Sequence, residues 1–172
     1  MQGRSEGNLT RDGAIEKLRE ALESLGPRAH AAGVPLLFEP LNRYETNLIN
    51  TVLDGLELLR PLRTKNVKLL CDLFHMNIEE ANIADSLRQA GLLVGHVHFA
   101  DSNRWAIGFG HTDVKPIVQA LQDIGYRGYL SAEILPLPDS AAAATQTIRA
   151  FREFVVNGQS HAQTPTDSSK DQ

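Results

Sequence analysis

Apolar positions along the chain fall into two alternating rhythms. In the first they recur at three- and four-residue steps, the spacing of a helix with one buried face. Ile15, Leu18, Leu22 and Leu25 give such a stretch from residue 11 onward, with Thr10 or Asp12 as its cap. Gly26 and Pro27 interrupt it, which predicts a second short helix to residue 32 and a stop at Gly33. Val52, Leu53, Leu56 and Leu59 predict a helix over 50–60, and Ile83 and Leu87 one over 79–89; two more are expected over 114–124 and 140–155. In the second rhythm the apolar residues run almost unbroken, as in strands buried on both faces. These runs are VPLLFE (34–39), VKLLCD (67–72), LVGHVHFA (93–100) and GYLSAEI (128–134).

Strands and helices therefore alternate, the cadence of right-handed βαβ units and a parallel sheet. Doubly wound sheets and (β/α)8 barrels share that cadence, but the polar residues help to separate them. Each strand stays apolar until its carboxyl end and then presents one metal-capable side chain: Glu39, Asp72, His98 and Glu133. In a barrel those ends converge on one mouth. Three carboxylates and an imidazole suit Mn²⁺, Mg²⁺ or Co²⁺ better than a structural zinc, which favours closed, thiolate-rich sites. A single carboxylate at a strand end is usually a cap or a loop ion pair; it is the repetition over four strands that argues for one metal site.

Neighbouring polar residues carry plainer readings. His96 lies on the same side of its strand as His98 but deeper, where a hydrogen-bonded core histidine is expected. Asp113 is placed to cap the next helix, Cys71 to pack, and Gly108 and Gly110 to relax the backbone of the 101–112 loop. Trp105 either walls a pocket or packs that loop.

Composition narrows the function. Of 172 residues 42% are hydrophobic and 22% charged, ordinary for a globular domain. Seventeen basic against twenty-one acidic side chains leave a net charge of −4, without the footprint of a general nucleic-acid binder. Cys71 is the single cysteine, so no internal disulfide forms and a reducing, cytoplasmic location is expected. No apolar run approaches the ~20 residues needed to cross a bilayer, and no membrane partner is expected. Residues 1–9 are expected to form a flexible leader, 10–156 the folded part and 157–172 a disordered polar tail.

Four segments, FEPLNRYETN (38–47), CDLFHMNIEE (71–80), GHVHFADSNRWAIGFGHTD (95–113) and GYLSAEIL (128–135), together resemble the xylose isomerase-like TIM barrels. The resemblance is to the sugar phosphate isomerase/epimerase group that includes D-tagatose 3-epimerase. It implies a (β/α)8 barrel and one divalent ion, Mn²⁺ first and Mg²⁺, Co²⁺ or Zn²⁺ after it, held by Glu39, Asp72, His98 and Glu133. It implies that Glu39 and Glu133 also act as the acid/base pair, and that His75, Arg104 and Glu45 contact the substrate. The activity implied is ketose 3-epimerisation or aldose–ketose isomerisation of a sugar through a metal-stabilised enediolate. Hydroxypyruvate isomerases and inosose dehydratases share the superfamily, so a small keto acid is an alternative substrate. An apurinic endonuclease-like phosphodiesterase would want more His and Asp ligands and a basic surface; an inactive half-barrel would keep the site and lack turnover.

A (β/α)8 barrel needs about 250 residues. Four βα units match only the second half of that fold. Such a half leaves two strand edges and one sheet face open, so association of the chain with itself through that face is expected.

Overall fold

The computed structural model describes residues 2–156. Its elements run α1 (Arg11–Ala31), β1 (Leu36–Phe38), α2 (Val52–Leu59), β2 (Val67–Asp72), α3 (Leu73–Glu79), α4 (Ile83–Ala90), a 3₁₀ turn (Gly91–Leu93), β3 (Val94–His98), α5 (Val114–Asp123), β4 (Leu130–Ser131), α6 (Ser140–Ala150) and a π-helical turn (Phe151–Val156). The four strands form one parallel sheet in sequence order, β1-β2-β3-β4.

The two faces of that sheet differ. Val67, Leu69, Cys71, Val94 and Val97 are buried in the same core as Val52, Leu58, Leu87, Ile117 and Leu121 of the covering helices. Alternate residues point the other way. Leu37, Lys68, Leu70 and His96 on that second face are only half-buried; among the described residues no helix covers that face as α2, α4 and α5 cover the other. Between Leu69 and Leu70 the β2–β3 register shifts, and Gly95 is the extra residue. A side chain there would strike Leu37 and Lys68, the nearest contacts at 2.7 and 2.6 Å, so the bulge requires glycine.

Several boundaries depart from the apolar pattern. α1 continues through Gly26-Pro27 instead of breaking into two helices. Pro27 removes one backbone hydrogen bond, but docking against the 62–66 loop offsets it. Glu23 accepts hydrogen bonds from the Arg63 and Thr64 amides, and Asn66 Nδ2 donates to the Gly26 carbonyl at 3.3 Å. Gly26 is there for close approach, since a Cβ would sit 2.7 Å from the Thr64 methyl.

The helix expected over 79–89 is α4, which begins at Ile83, and a further helix that the apolar pattern did not predict, α3, precedes it over Leu73–Glu79. Asp72 caps α3 by accepting from Phe74 N at 2.8 Å, and Asn82 caps α4 by accepting from Asp85 N at 3.2 Å. β4 pairs over two residues rather than seven, being bonded on one side only, to β3. Beyond it the chain turns away, and Leu135 N donates to the Arg104 carbonyl at 2.7 Å. Asp113 occupies the cap position of α5, but its side chain accepts no hydrogen bond there.

The leader expected to be flexible is tied to the 46–49 loop. Gln2 Nε2 donates to the carbonyls of Glu39 and Ile49, both at 2.8 Å, Thr46 Oγ1 donates to Gly3 O, and Ser5 exchanges hydrogen bonds with Asn47. The tail expected to be disordered lies outside the described residues.

Candidate metal centre

Strand register brings the four strand-end residues together. Asp72 and His98 are direct partners across β2 and β3, and His98 is level with Ser131 of β4. Phe38 pairs with Leu69, so Glu39 stands level with Leu70, one inward position below Asp72. Glu133 lies two residues beyond the end of β4, and its Oε2 comes within 3.1 Å of His98 Nδ1.

One ligand atom from each of Glu39, Asp72, His98 and Glu133 lies within 4.8 Å of the others. His98 Nδ1 is at the middle, 3.1 Å from Glu133 Oε2, 3.2 Å from Asp72 Oδ2 and 3.7 Å from Glu39 Oε1. Asp72 divides its work, with Oδ1 capping α3 and Oδ2 facing the cluster. The cap reading and the ligand reading of this residue are therefore compatible.

The electrostatics ask for a cation. Glu39 Oε1 is buried without a hydrogen-bond partner, which is costly for a carboxylate oxygen. Burial, and then the charge of Asp72, push the Glu39 carboxyl up to about 7. The hydrogen bond from His98 to Asp72, reinforced by the surrounding carboxylates, raises the His98 imidazole above its ordinary value. A divalent ion among these four side chains would satisfy the orphan oxygen and neutralise the clustered charge, so the donor set fits such an ion. Among the described residues this is the single group of three or more such side chains able to hold one.

The three residues expected to contact substrate line the same mouth. His75 is buried, and burial lowers its basicity. Its Nδ1 lies 2.8 Å from Asn42 Nδ2 and 3.3 Å from Asn42 N, two donors that together require an acceptor. The proton therefore sits on Nε2, which faces Glu39 Oε1 at 3.8 Å and Asp72 Oδ2 at 4.0 Å. Asn42 Nδ2 also donates to Glu45 at 3.0 Å. Arg104 reaches in from the 101–112 loop, donating to Glu133 Oε2 at 3.0 Å and lying 3.7 Å from Glu45. Its guanidinium is stacked over Phe74, 4.9 Å from the ring centroid.

Asn42 and Phe74 escaped the sequence reading, although both fall inside segments already quoted. Nothing in the local pattern shows that an Asn folds back onto a histidine 33 positions away. His96 is hydrogen-bonded to Ser131 Oγ at 2.7 Å on the half-buried face of the sheet, not in the core, and Trp105 packs edge-on against Phe109 in the loop.

The xylose isomerase-like TIM barrel model matches residues 1–154. The chain belongs to that family. It is 35% identical over 146 residues to a D-psicose 3-epimerase of Ruminiclostridium cellulolyticum, covering 85% of this chain and 49% of that protein. It is 42% identical over 113 residues to an L-ribulose 3-epimerase of Mesorhizobium japonicum, covering 66% and 38%. A crystal structure of D-psicose 3-epimerase in the presence of D-fructose superposes with a TM-score of 0.81 at 29% identity, covering 87% of this chain and 59% of that one. The chain thus spans about half the length of the curated relatives it matches. The four-stranded parallel sheet with helices on one face is a partial barrel of this family.

Proposed function

We propose that this chain carries the metal-binding and proton-transfer set of a ketose 3-epimerase, with Glu39, Asp72, His98 and Glu133 as ligands and Mn²⁺ as the preferred ion. The observation that carries the reading is the pairing of two unlike carboxylates across one cluster: Glu39 half-buried with its Oε1 sealed and unpartnered, and Glu133 exposed and held by Arg104. Epimerisation beside a carbonyl requires removal of a weakly acidic C–H proton and its return to the opposite face. When bound, the ion would stabilise the negative charge that develops on the substrate oxygens. Glu39 comes from the end of one edge strand and Glu133 from beyond the end of the other, so one takes the proton and the other returns it. His75 offers its Nε2 proton, Arg104 its guanidinium and Glu45 its carboxylate to the substrate's oxygens. The epimerase names of the relatives, and the single ligand cluster among the described residues, favour this reading over a multi-metal phosphodiesterase.

The test is direct. With Mn²⁺, the protein is expected to interconvert D-fructose and D-psicose and, in D₂O, to place deuterium at C3. Absence of both interconversion and exchange with every ketose tried would overturn the reading. The half-exposed row of Leu37, Lys68, Leu70 and His96 and the unpaired edges of β1 and β4 also favour association of two copies through the open face. Light scattering at micromolar concentration is expected to give a dimer or larger, and a clean monomer would refute it.

A further inference from the structure

The 101–112 loop is organised around one buried acid. Asp101 is 1% exposed, and its carboxylate accepts four backbone hydrogen bonds. Oδ1 takes Ser102 N at 2.7 Å and Thr112 N at 3.0 Å; Oδ2 takes Gly108 N at 2.7 Å and Gly110 N at 2.9 Å. Burial alone would push its carboxyl up, but the amides of Thr112, Gly110 and Ser102 outweigh it and hold the group below the usual range. The residue's main chain closes the same loop, with Asp101 N donating to Trp105 O at 2.9 Å and Arg104 N to Asp101 O at 2.8 Å.

The turn that results places Arg104 at φ +60, the one non-glycine residue with a positive φ among the described residues. Such a backbone is unfavourable for a non-glycine residue and persists only where its surroundings fix it. Here they do, since the Arg104 carbonyl is also held by Leu135 N at 2.7 Å. This backbone aims the guanidinium at Glu133, Glu45 and the face of Phe74.

We propose that Asp101 is a positioning residue for the epimerisation: its carboxylate fixes the loop in the conformation that holds Arg104 over the ligand cluster, and so sets how tightly the substrate is gripped. The proposal rests on the function argued above. Asp101 touches no reacting atom; it acts through Arg104. Four N–H donors need an acceptor on both oxygens, which the isosteric amide cannot supply. Asp101→Asn therefore sets an NH₂ group against at least one backbone N–H. Gly110→Ala disturbs the same cradle from its solvent side, because a Cβ there would meet the Asp101 carboxylate and lie 2.6 Å from Ser102 Oγ.

The experiment combines proteolysis with kinetics on the full chain. Tryptic cleavage after Arg104 is expected to rise about tenfold in both variants, as the loop opens more often. In Mn²⁺-loaded protein, both are expected to raise KM for the ketose by about tenfold, with kcat within a few-fold. In an Arg104→Ala background, Asp101→Asn should add less than about twofold, whereas a merely structural role would multiply through. Folded variants that are cleaved at Arg104 and bind ketose like the parent would overturn the proposal, as would full additivity in the double variant. If Asp101→Asn does not fold, Gly110→Ala decides the matter alone. If no form binds or turns over a ketose, the epimerase reading falls, and the tryptic rate alone judges the loop.

Discussion

Glu39 and Glu133 are the same side chain at the ends of the two edge strands, and the fold treats them in opposite ways. Glu39 follows β1 directly, beside a core of buried apolar residues, with its Oε1 sealed from solvent and unpartnered. Glu133 follows a two-residue strand and stands more than half exposed, at 54% for its side chain, with Arg104 donating to it. The environment of Glu39 is made by packing; that of Glu133 is made by a loop. One carboxylate is thus destabilised as an anion by its surroundings, while the other is oriented by a cation. A site that must pass a proton in both directions gains from two carboxyls so differently placed.

The largest effects expected from breaking this comparison are on turnover. Glu133→Gln and Glu39→Gln should each lower kcat by about a thousandfold or more, the scale of a lost general acid or base combined with a lost ligand. The two substitutions should part company in stability. In metal-free protein at pH 8, Glu39→Gln removes a half-buried charge with an unpartnered oxygen and should raise the thermal midpoint by about 2–4 °C. Glu133→Gln should leave that midpoint within about 1 °C, since its carboxylate faces solvent. Equal shifts in a melting experiment would show that the two environments are not distinct.

A smaller effect concerns metal affinity against pH. The Glu39 carboxyl, raised to about 7, holds a proton through the range in which an ordinary glutamate has lost it. A metal must displace that proton, so the apparent Mn²⁺ affinity is constant above about pH 7 and weakens as pH falls through it, by up to about tenfold per unit. His98, whose basicity is also raised, acts in the same direction. Calorimetric titrations between pH 5.5 and 8.5 should show this slope, and Glu39→Gln should flatten it. A slope that survives unchanged in Glu39→Gln would assign the displaced proton elsewhere.

What the residues disclosed on their own follows from where each signal lived. β2 was legible to its last residue because VKLLCD is apolar on both faces and ends at a capping acid; β4 was not, because pairing on one side ends it early whatever GYLSAEI prefers. Gly26-Pro27 reads as a stop in any local window, and only docking of the 62–66 loop, 40 residues away, overrides it. Glu39, Asp72, His98 and Glu133 could be grouped because strand ends of a parallel sheet must meet. Asn42 and Asp101 could not, since their partners are a histidine on another element and backbone amides brought near by a loop. The four side chains of the ligand cluster stood out by type and place; the residues hydrogen-bonded around them did not.

His96 is where that limit is most easily probed. It shares a face with His98, the ring centroids are 5.4 Å apart and edge-on, and its chemistry equals that of its neighbour. Only depth separates the two: His98 reaches the carboxylates, whereas His96 Nε2 is hydrogen-bonded to Ser131 Oγ and lies outside the ligand group. Burial lowers its basicity, so at neutral pH it is a neutral hydrogen-bonding group on the half-covered face of the sheet. Glutamine is polar, of similar length and able to bond Ser131. His96→Gln should therefore keep kcat and Mn²⁺ affinity within about threefold, the range expected of a substitution that preserves its hydrogen bond. His98→Gln, by contrast, removes the imidazole at the middle of the cluster. A collapse of metal affinity in His96→Gln comparable with that in His98→Gln would mean that depth along the strand does not sort ligand from support in this fold.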